Sequence, residues 1–316
     1  MKRVLITGAA GNLGGILAEY LSGIGLHLNL LTHKKDVKDF LKTKPEVSIF
    51  KADLSDKETL GPAIDNTDTI VHFAGILFKH NPEKFLPVTN TLYFKNLLEK
   101  AVENKVKRII LISFPHVEGE TTADKPATGK LNGNPGSVHA KTRLQEEILM
   151  FDMAGKHGFE AVSLRVGMVY GRGILMIDGA RWFAEHGILG IWRKPTWIHL
   201  ISTQDFLEAT KQAVLKDNIK GIYHLGDEGK QTLQEFFDAA TKKWGFHKPV
   251  RMNIKVIFAV AWLFEMFSLL FATKSPLTRD FIRIGMVSYY GDTTRMRKEL
   301  LSDLKYRTYK DGMETL

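Results

Sequence analysis

The chain contains no cysteine, which excludes disulfides, thiolate metal sites and a cysteine nucleophile, and leaves the cellular compartment weakly constrained. Zinc-finger spacing is absent, and no Lys/Arg stripe interleaves with aromatic residues, so nothing points to nucleic acid as a partner. No metal site is read, and no internal repeat or low-complexity tract breaks the pattern. The apolar run in the opening MKRVLITGAAG is too short for a secretory segment and turns straight into a glycine loop; no signal peptide is read, and a cytoplasmic location is the expectation. Tyrosine is missing between positions 94 and 169, an absence with chemical consequences described below.

What is present has ordinary globular proportions: 316 residues, 44% apolar and 25% charged, enough for a sizeable core and one large or two unequal domains. Lys and Arg number 44 against 35 acidic residues, a formal +9. That balance favours anionic partners such as phosphorylated cofactors or acidic lipids, and equally describes a plain basic surface. Short β-branched runs at 4–7, 28–32, 47–51, 69–73, 108–113 and 161–166 read as strands, with amphipathic helices between them at 13–22 and 90–103. Alternation of this kind implies an α/β fold, a doubly wound parallel sheet covered on both faces. The Gly- and Pro-rich stretch 119–136 reads as a lid or mobile flap. Residues 1–167 are expected to form a nucleotide-binding domain and 168–316 a smaller C-terminal substrate lobe, with some strands returning to the first domain.

The strongest local signal is VLITGAAGNLGGIL, where Gly8, Gly11 and Gly14 occupy a strand-to-helix turn. Glycines there let the backbone approach a pyrophosphate and aim helix N-terminal N–H groups at it. The stretch TGAAGNLG resembles the TGxxGxxG fingerprint of the extended short-chain dehydrogenase/reductase family. Further matches follow in order: Asp53 and Leu54 in KADLSD, HFAG at 72–75, Asn90 at the head of a helix, RVGMVYG at 165–171, and WIHLISTQDF ending at Asp205. The resemblance spans nearly the whole chain and implies a Rossmann fold. It also implies a nicotinamide dinucleotide held by Gly8, Ala10, Gly11, Asn12, Leu13 and Gly14, by Asp53 and Leu54 at the adenine, by Phe73, Ala74 and Gly75 under a ribose, and by Asn90. The second strand ends in Thr32, His33 and Lys34 rather than an acid, which favours NADP over NAD because cations attract a 2′-phosphate.

At HAKTRLQEE the chain departs from the family. Laid on the family's Tyr-x-x-x-Lys, the segment puts His139 at the tyrosine, Arg143 at the lysine and Glu147 at the following acid; an alternative register uses Ser137, Lys141 and Gln145. The usual Ser or Thr partner falls on Phe114, with Ser113 one place off. The resemblance therefore implies catalytic positions at His139, Arg143 and Ser113, with Arg143 able to grip the cofactor ribose through its donor fork and His139 able to act as an acid or base near neutral pH.

The substrate is expected to be a small, fairly apolar molecule. Residues 254–272 are apolar nearly all round apart from Glu265 and are flanked by Lys248, Arg251, Lys274 and Arg279. A buried helix, a lid over a lipophilic substrate and a helix resting on a membrane surface all fit this composition, the last giving a membrane-associated location. The tract after it is similar to that of 3β-hydroxysteroid dehydrogenase-like and dihydroflavonol reductase-like members. Three functional readings stay open: an NADP-dependent oxidoreductase with Trp182, Trp192 and Trp197 in an apolar pocket; a catalytically weakened NADP-binding structural or sensory protein; and a nucleotide-sugar epimerase or dehydratase using Arg172, Arg181 or Arg193. The resemblance also implies a homodimer.

Overall fold

The structure, a computed structural model, describes residues 1–75, 81–271 and 277–316, so Lys274 lies outside the described residues. The β-branched runs form β1 (Arg3–Thr7), β2 (His27–Thr32), β3 (Val47–Lys51), β4 (Thr69–His72), β5 (Arg108–Ser113) and β6 (Glu160–Val166). A further strand, β7 (Gly221–Leu225), completes a seven-stranded sheet in the order β7-β6-β5-β4-β1-β2-β3. Every pairing in it is parallel. Alternate side chains of β1 enter opposite cores: Val4 and Ile6 join one cluster and Leu5 the other. This two-sided burial is why these strands read as nearly continuous apolar runs.

The first cluster lies under α1 (Asn12–Leu21) and the second under α2 (Tyr93–Glu103) and α3 (Val138–His157). Ser137 caps α3 by accepting from Ala140 N at 3.1 Å, and Gly158 ends it in the left-handed region at φ 78°. Four further helices belong to the C-terminal half: α4 (Leu175–Glu185), α5 (Thr203–Leu215), α6 (Leu233–Trp244) and α7 (Ile254–Leu270), followed by the short α8 (Arg279–Gly285). Strand order reverses between β4 and β1, so a crevice opens at the C-terminal ends of these strands, the place where open α/β sheets bind ligands.

Two expectations need correction. Asn90 does not open a helix: it sits inside a π-helical turn, Pro87–Leu92, and is buried, donating to Thr142 Oγ1 at 3.0 Å. The 119–136 stretch is not a loose flap. Glu118 accepts from the backbone N–H groups of Thr128, Gly129 and Lys130 at 3.1, 2.7 and 3.1 Å, and Ala127 N donates to Tyr290 O at 2.8 Å. The first tie folds the stretch back on the residue just before it and the second reaches Tyr290, far along the chain, and a glycine-rich composition reveals neither.

Candidate functional site

The glycine loop leaves β1 with Gly8 at φ +70° and enters α1 through Gly11. A Cβ on Gly14 would stand 2.5 Å from Gly8 O, and one on Gly11 3.0 Å from the same atom. No side chain caps α1 at Gly11, so its first N–H groups and the positive end of its dipole are left for an anion. Those features fit a dinucleotide pyrophosphate. Ala10 lies in the same turn and Leu13 packs into the core beneath it. Asn12 faces the other lobe, donating to Gly173 O at 2.6 Å and accepting from Leu175 N at 2.9 Å. Thr7, which the sequence reading did not single out, fastens this loop to the next strand: its hydroxyl accepts from Phe73 N and Ala74 N, each at 3.3 Å, and lies 2.8 Å from His72 Nδ1.

At the ends of β2 and β3, a recess of about 450 Å³ is lined by His33, Lys34, Lys51, Ala52, Asp53 and Thr59. His33 Nε2 lies 3.4 Å from Asp53 Oδ2, with both side chains substantially exposed. The Ser55 N–H that donates to Asp53, helped by His33 and Lys34, holds this carboxyl below its ordinary pKa against a partial burial penalty. Thr32 is buried and turned toward β3, donating to Phe50 O at 3.5 Å, so His33 and Lys34 are the groups of that trio open to a ligand. Leu54 is half-buried, its carbonyl accepting from Asn96 at 2.9 Å. A larger recess of about 1060 Å³ lies at the opposite, N-terminal ends of the strands beside Lys2, Thr69 and Arg108. Open-sheet ligand sites belong at the other end.

Arg143 is brought directly to the 72–75 segment. Its Nη2 donates to Ala74 O at 3.4 Å, and a Cβ on Gly75 would come within 2.5 Å of that nitrogen. The guanidinium is buried and pairs with Glu146, Nη1 to Oε2 at 2.8 Å. Burial pushes the Glu146 carboxyl up to about 7 despite the Arg143 charge, and Glu147 adds to the upward shift. Glu146 was missed in the sequence, although an Arg and a Glu three apart on one helix are a legible pair. Two buried oxygens near this pair, Glu146 Oε1 and Asn90 Oδ1, have no hydrogen-bond partner.

His139 is buried edge-on to Phe114, ring centroids 4.7 Å apart at 90°, and Phe114 in turn packs on His116 at 5.0 Å. Burial, then the Arg143 charge, then His116 lower the His139 pKa to about 3. The imidazole is therefore neutral at physiological pH. Ser113, one strand residue away, donates its hydroxyl to Glu147 Oε1 at 2.5 Å. Glu147 also accepts from Ser163 at 2.7 Å and from Arg165 Nη2 at 2.6 Å, and Arg165 reaches on to Glu118. Burial raises the Glu118 carboxyl, but His224, the Gly129 and Thr128 N–H groups and Arg165 together outweigh it and hold it at about 2. This network braces β5, β6 and α3 beneath the crevice; the register that sets Ser113 beside Arg165 makes it possible.

The tryptophans do not form one wall. Trp192 is in the core, donating to Thr196 Oγ1 at 2.8 Å, Trp182 packs against His186 with ring centroids 4.1 Å apart and the planes tilted by 31° on an exposed face, and Trp197 is exposed. Arg172 and Arg193 donate to the backbone at Leu316 and Arg251, and Arg181 is exposed. Among the described residues, no group of His, Asp and Glu is placed to hold a metal ion.

The state of His139 has a measurable consequence. Its folded pKa of about 3 lies below the unfolded value, so the unfolded chain takes up a proton that the folded chain refuses, and stability is lost as pH falls from the unfolded value toward 3. His139→Phe removes this loss. Thermal unfolding should show the variant gaining about 2 kcal/mol on the wild type between about pH 7.5 and pH 5. A difference that does not change with pH would mean that the imidazole is solvated.

Comparison with known proteins places this geometry among relatives. A family model described as NAD dependent epimerase/dehydratase family matches residues 4–188. The uronate dehydrogenase of Pseudomonas putida is 30% identical over 167 residues, 52% of this chain and 60% of that protein. The decarboxylating sterol-4-alpha-carboxylate 3-dehydrogenase of Bos taurus is 28% identical over 174 residues, 54% of this chain and 47% of that protein. The chain thus spans 60% or less of the length of these two relatives. Among solved structures, UDP-glucose 4-epimerase from Thermotoga maritima with UDP-glucose superposes with a TM-score of 0.79 at 17% identity, covering 99% of this chain and 96% of that one. UDP-glucose 4-epimerase from Thermus thermophilus in complex with NAD gives 0.76 at 22% identity, covering 99% and 97%. At such identities the structural likeness speaks for the fold.

Proposed function

The chain belongs to the NAD dependent epimerase/dehydratase family, and from that premise we propose that it is an NADP-dependent oxidoreductase acting on a carbonyl or hydroxyl of a fairly apolar small molecule, with His139 and Arg143 in the positions of the usual tyrosine and lysine. The observation that carries this reading is the placement of the Arg143 guanidinium on Ala74 and Gly75, the segment that the family resemblance puts under the cofactor ribose. His33 and Lys34 at the rim of the 2′-side recess supply the preference for a phosphorylated ribose. When bound, the nicotinamide supplies or accepts the hydride, while the proton for the substrate oxygen comes ultimately from solvent.

A His139 held neutral cannot act as an imidazolium acid at neutral pH. In this reading it donates an N–H hydrogen bond that polarises the substrate oxygen, as a neutral imidazole can. Phe114 and His116, whose partly exposed rings pack in sequence beside it, offer an aromatic wall for an apolar substrate. A second reading, an NADP-binding protein with little or no turnover, is favoured by one specific observation: the Ser113 hydroxyl is already committed to Glu147.

Turnover separates the two. NADPH oxidation by the wild type and by His139→Tyr/Arg143→Lys should be measured across apolar ketones, uronates and nucleotide sugars. The oxidoreductase reading expects activity on an apolar ketone that rises on the order of a hundredfold when the phenol and ammonium are restored. If both proteins bind NADPH and neither oxidises it on any substrate, the binding-protein reading replaces it.

A further inference from the structure

Helix α7 is built inside out. The residues it buries against the protein are Ile257, Ala261, Glu265 and Ser268, two of them polar. Glu265 accepts from Arg279 N at 2.7 Å and Arg279 Nε at 2.8 Å at the head of α8, and Ser268 donates to Glu265 O at 2.8 Å. The large apolar side chains face outward instead: Leu263 is 59% exposed, Phe267 55%, Leu270 75% and the adjoining Phe271 62%. Val256, Val260, Leu263, Phe267 and Leu270 advance by steps of three and four and so form one continuous stripe; Trp262, Met266 and Leu269 form a second beside it. A surface helix facing water carries the reverse pattern, and an apolar face this continuous marks an interaction surface.

The chemistry of the rim selects the partner. Lys255 in its first turn and Arg283 on the adjoining α8 are exposed, Arg283 standing over the Phe258 ring of the helix at 5.9 Å. The one acid within the helix, Glu265, is turned inward onto Arg279. A face of exposed Trp, Phe and Leu edged by cations matches an anionic lipid surface, with the rings and aliphatic chains in the acyl boundary and the cations at the headgroups. A second copy of the chain would set two such basic rims against each other in a molecule already at +9. The helix is short for a span: its 17 residues rise about 25 Å, less than a hydrocarbon core of about 30 Å, and no helix among the described residues is long and apolar enough to cross a membrane. We propose that α7 is a membrane-docking helix that lies on an anionic bilayer with its outer face immersed.

The test needs no nucleotide, so its outcome is independent of the proposed oxidoreductase function. The full chain is sedimented with vesicles of phosphatidylcholine alone and of phosphatidylcholine with phosphatidylglycerol, beside the triple variant Leu263→Gln/Phe267→Gln/Leu270→Gln, whose fold is checked by circular dichroism. The wild type should partition onto the phosphatidylglycerol vesicles, less onto phosphatidylcholine and less in high salt, and the variant should lose about tenfold or more of that partition. Acyl-chain-brominated lipid should quench part of the tryptophan emission, and Trp262→Phe should remove that part. Absence of wild-type binding, or equal binding by the triple variant, overturns the proposal. So does a wild-type dimer in solution that the triple variant dissociates while vesicles recruit neither protein, which would assign the face to a second copy.

Discussion

Glu147→Ala is expected to cost about 3–5 kcal/mol of unfolding free energy, the largest stability effect of any single substitution considered for this chain. Glu147 and Arg165 are both fully buried, and the carboxylate accepts from two arginine nitrogens and the hydroxyls of Ser113 and Ser163. Removing it leaves two buried hydroxyls without an acceptor and a buried guanidinium with Glu118 as its remaining carboxylate partner. The penalty is therefore that of stranded polar groups rather than of one lost bond. Chemical denaturation should give the full loss for Glu147→Ala, and about 1 kcal/mol for Ser113→Ala, which removes a single donor. A loss below about 1 kcal/mol for Glu147→Ala would mean that water or a rearranged Glu118 replaces the carboxylate.

Gly11→Val should abolish measurable nucleotide binding, weakening NADPH affinity by more than about tenfold, while the fold survives. Gly11 has φ −83°, a conformation open to any residue, and its Cβ would sit 3.0 Å from Gly8 O, tight but with little more than the loop itself affected. Gly14 is different: a Cβ there would be 2.5 Å from the same oxygen. Gly14→Val should therefore lose stability as well as binding. Calorimetry together with thermal unfolding separates the two positions. A folded Gly11→Val that binds NADPH like the wild type would remove the pyrophosphate from this loop.

The sheet and the glycine loop were legible because their signals are local. Runs such as RIILIS at β5 are apolar on both faces, with Lys107 before and Pro115 soon after, and the TGAAGNLG turn follows the first strand at once. What escaped depends on partners distant in the chain. GIYHL becomes β7 through pairing with β6 on one side only, and nothing inside those five residues announces that pairing. Asn90 has the composition of a helix cap, yet Thr142 from α3 draws it into a buried π-turn. The substituted pair at 139 and 143 could be found by alignment with a family motif, but its electrostatics could not. That His139 is neutral follows from the ring of Phe114 and the charge of Arg143 around it, and the raised carboxyl of Glu146 follows from complete burial. The apolar run at 254–272 left its environment undecided in the sequence; the helix at 254–270 turns Glu265 and Ser268 inward and its large apolar side chains outward, an orientation that composition alone does not reveal.

In the proposed reading, this crevice holds a phosphorylated nicotinamide dinucleotide between the Gly8–Gly14 loop, the His33 and Lys34 rim and the Arg143 guanidinium. Calorimetric titration of the wild-type chain with NADPH and, separately, with NADH tests it most directly. The expected result is saturable binding of both nucleotides, with NADPH tighter by about tenfold, a little over 1 kcal/mol. Saturation by NADH at an affinity equal to or greater than that of NADPH, or no binding of either nucleotide to the folded protein, would contradict it.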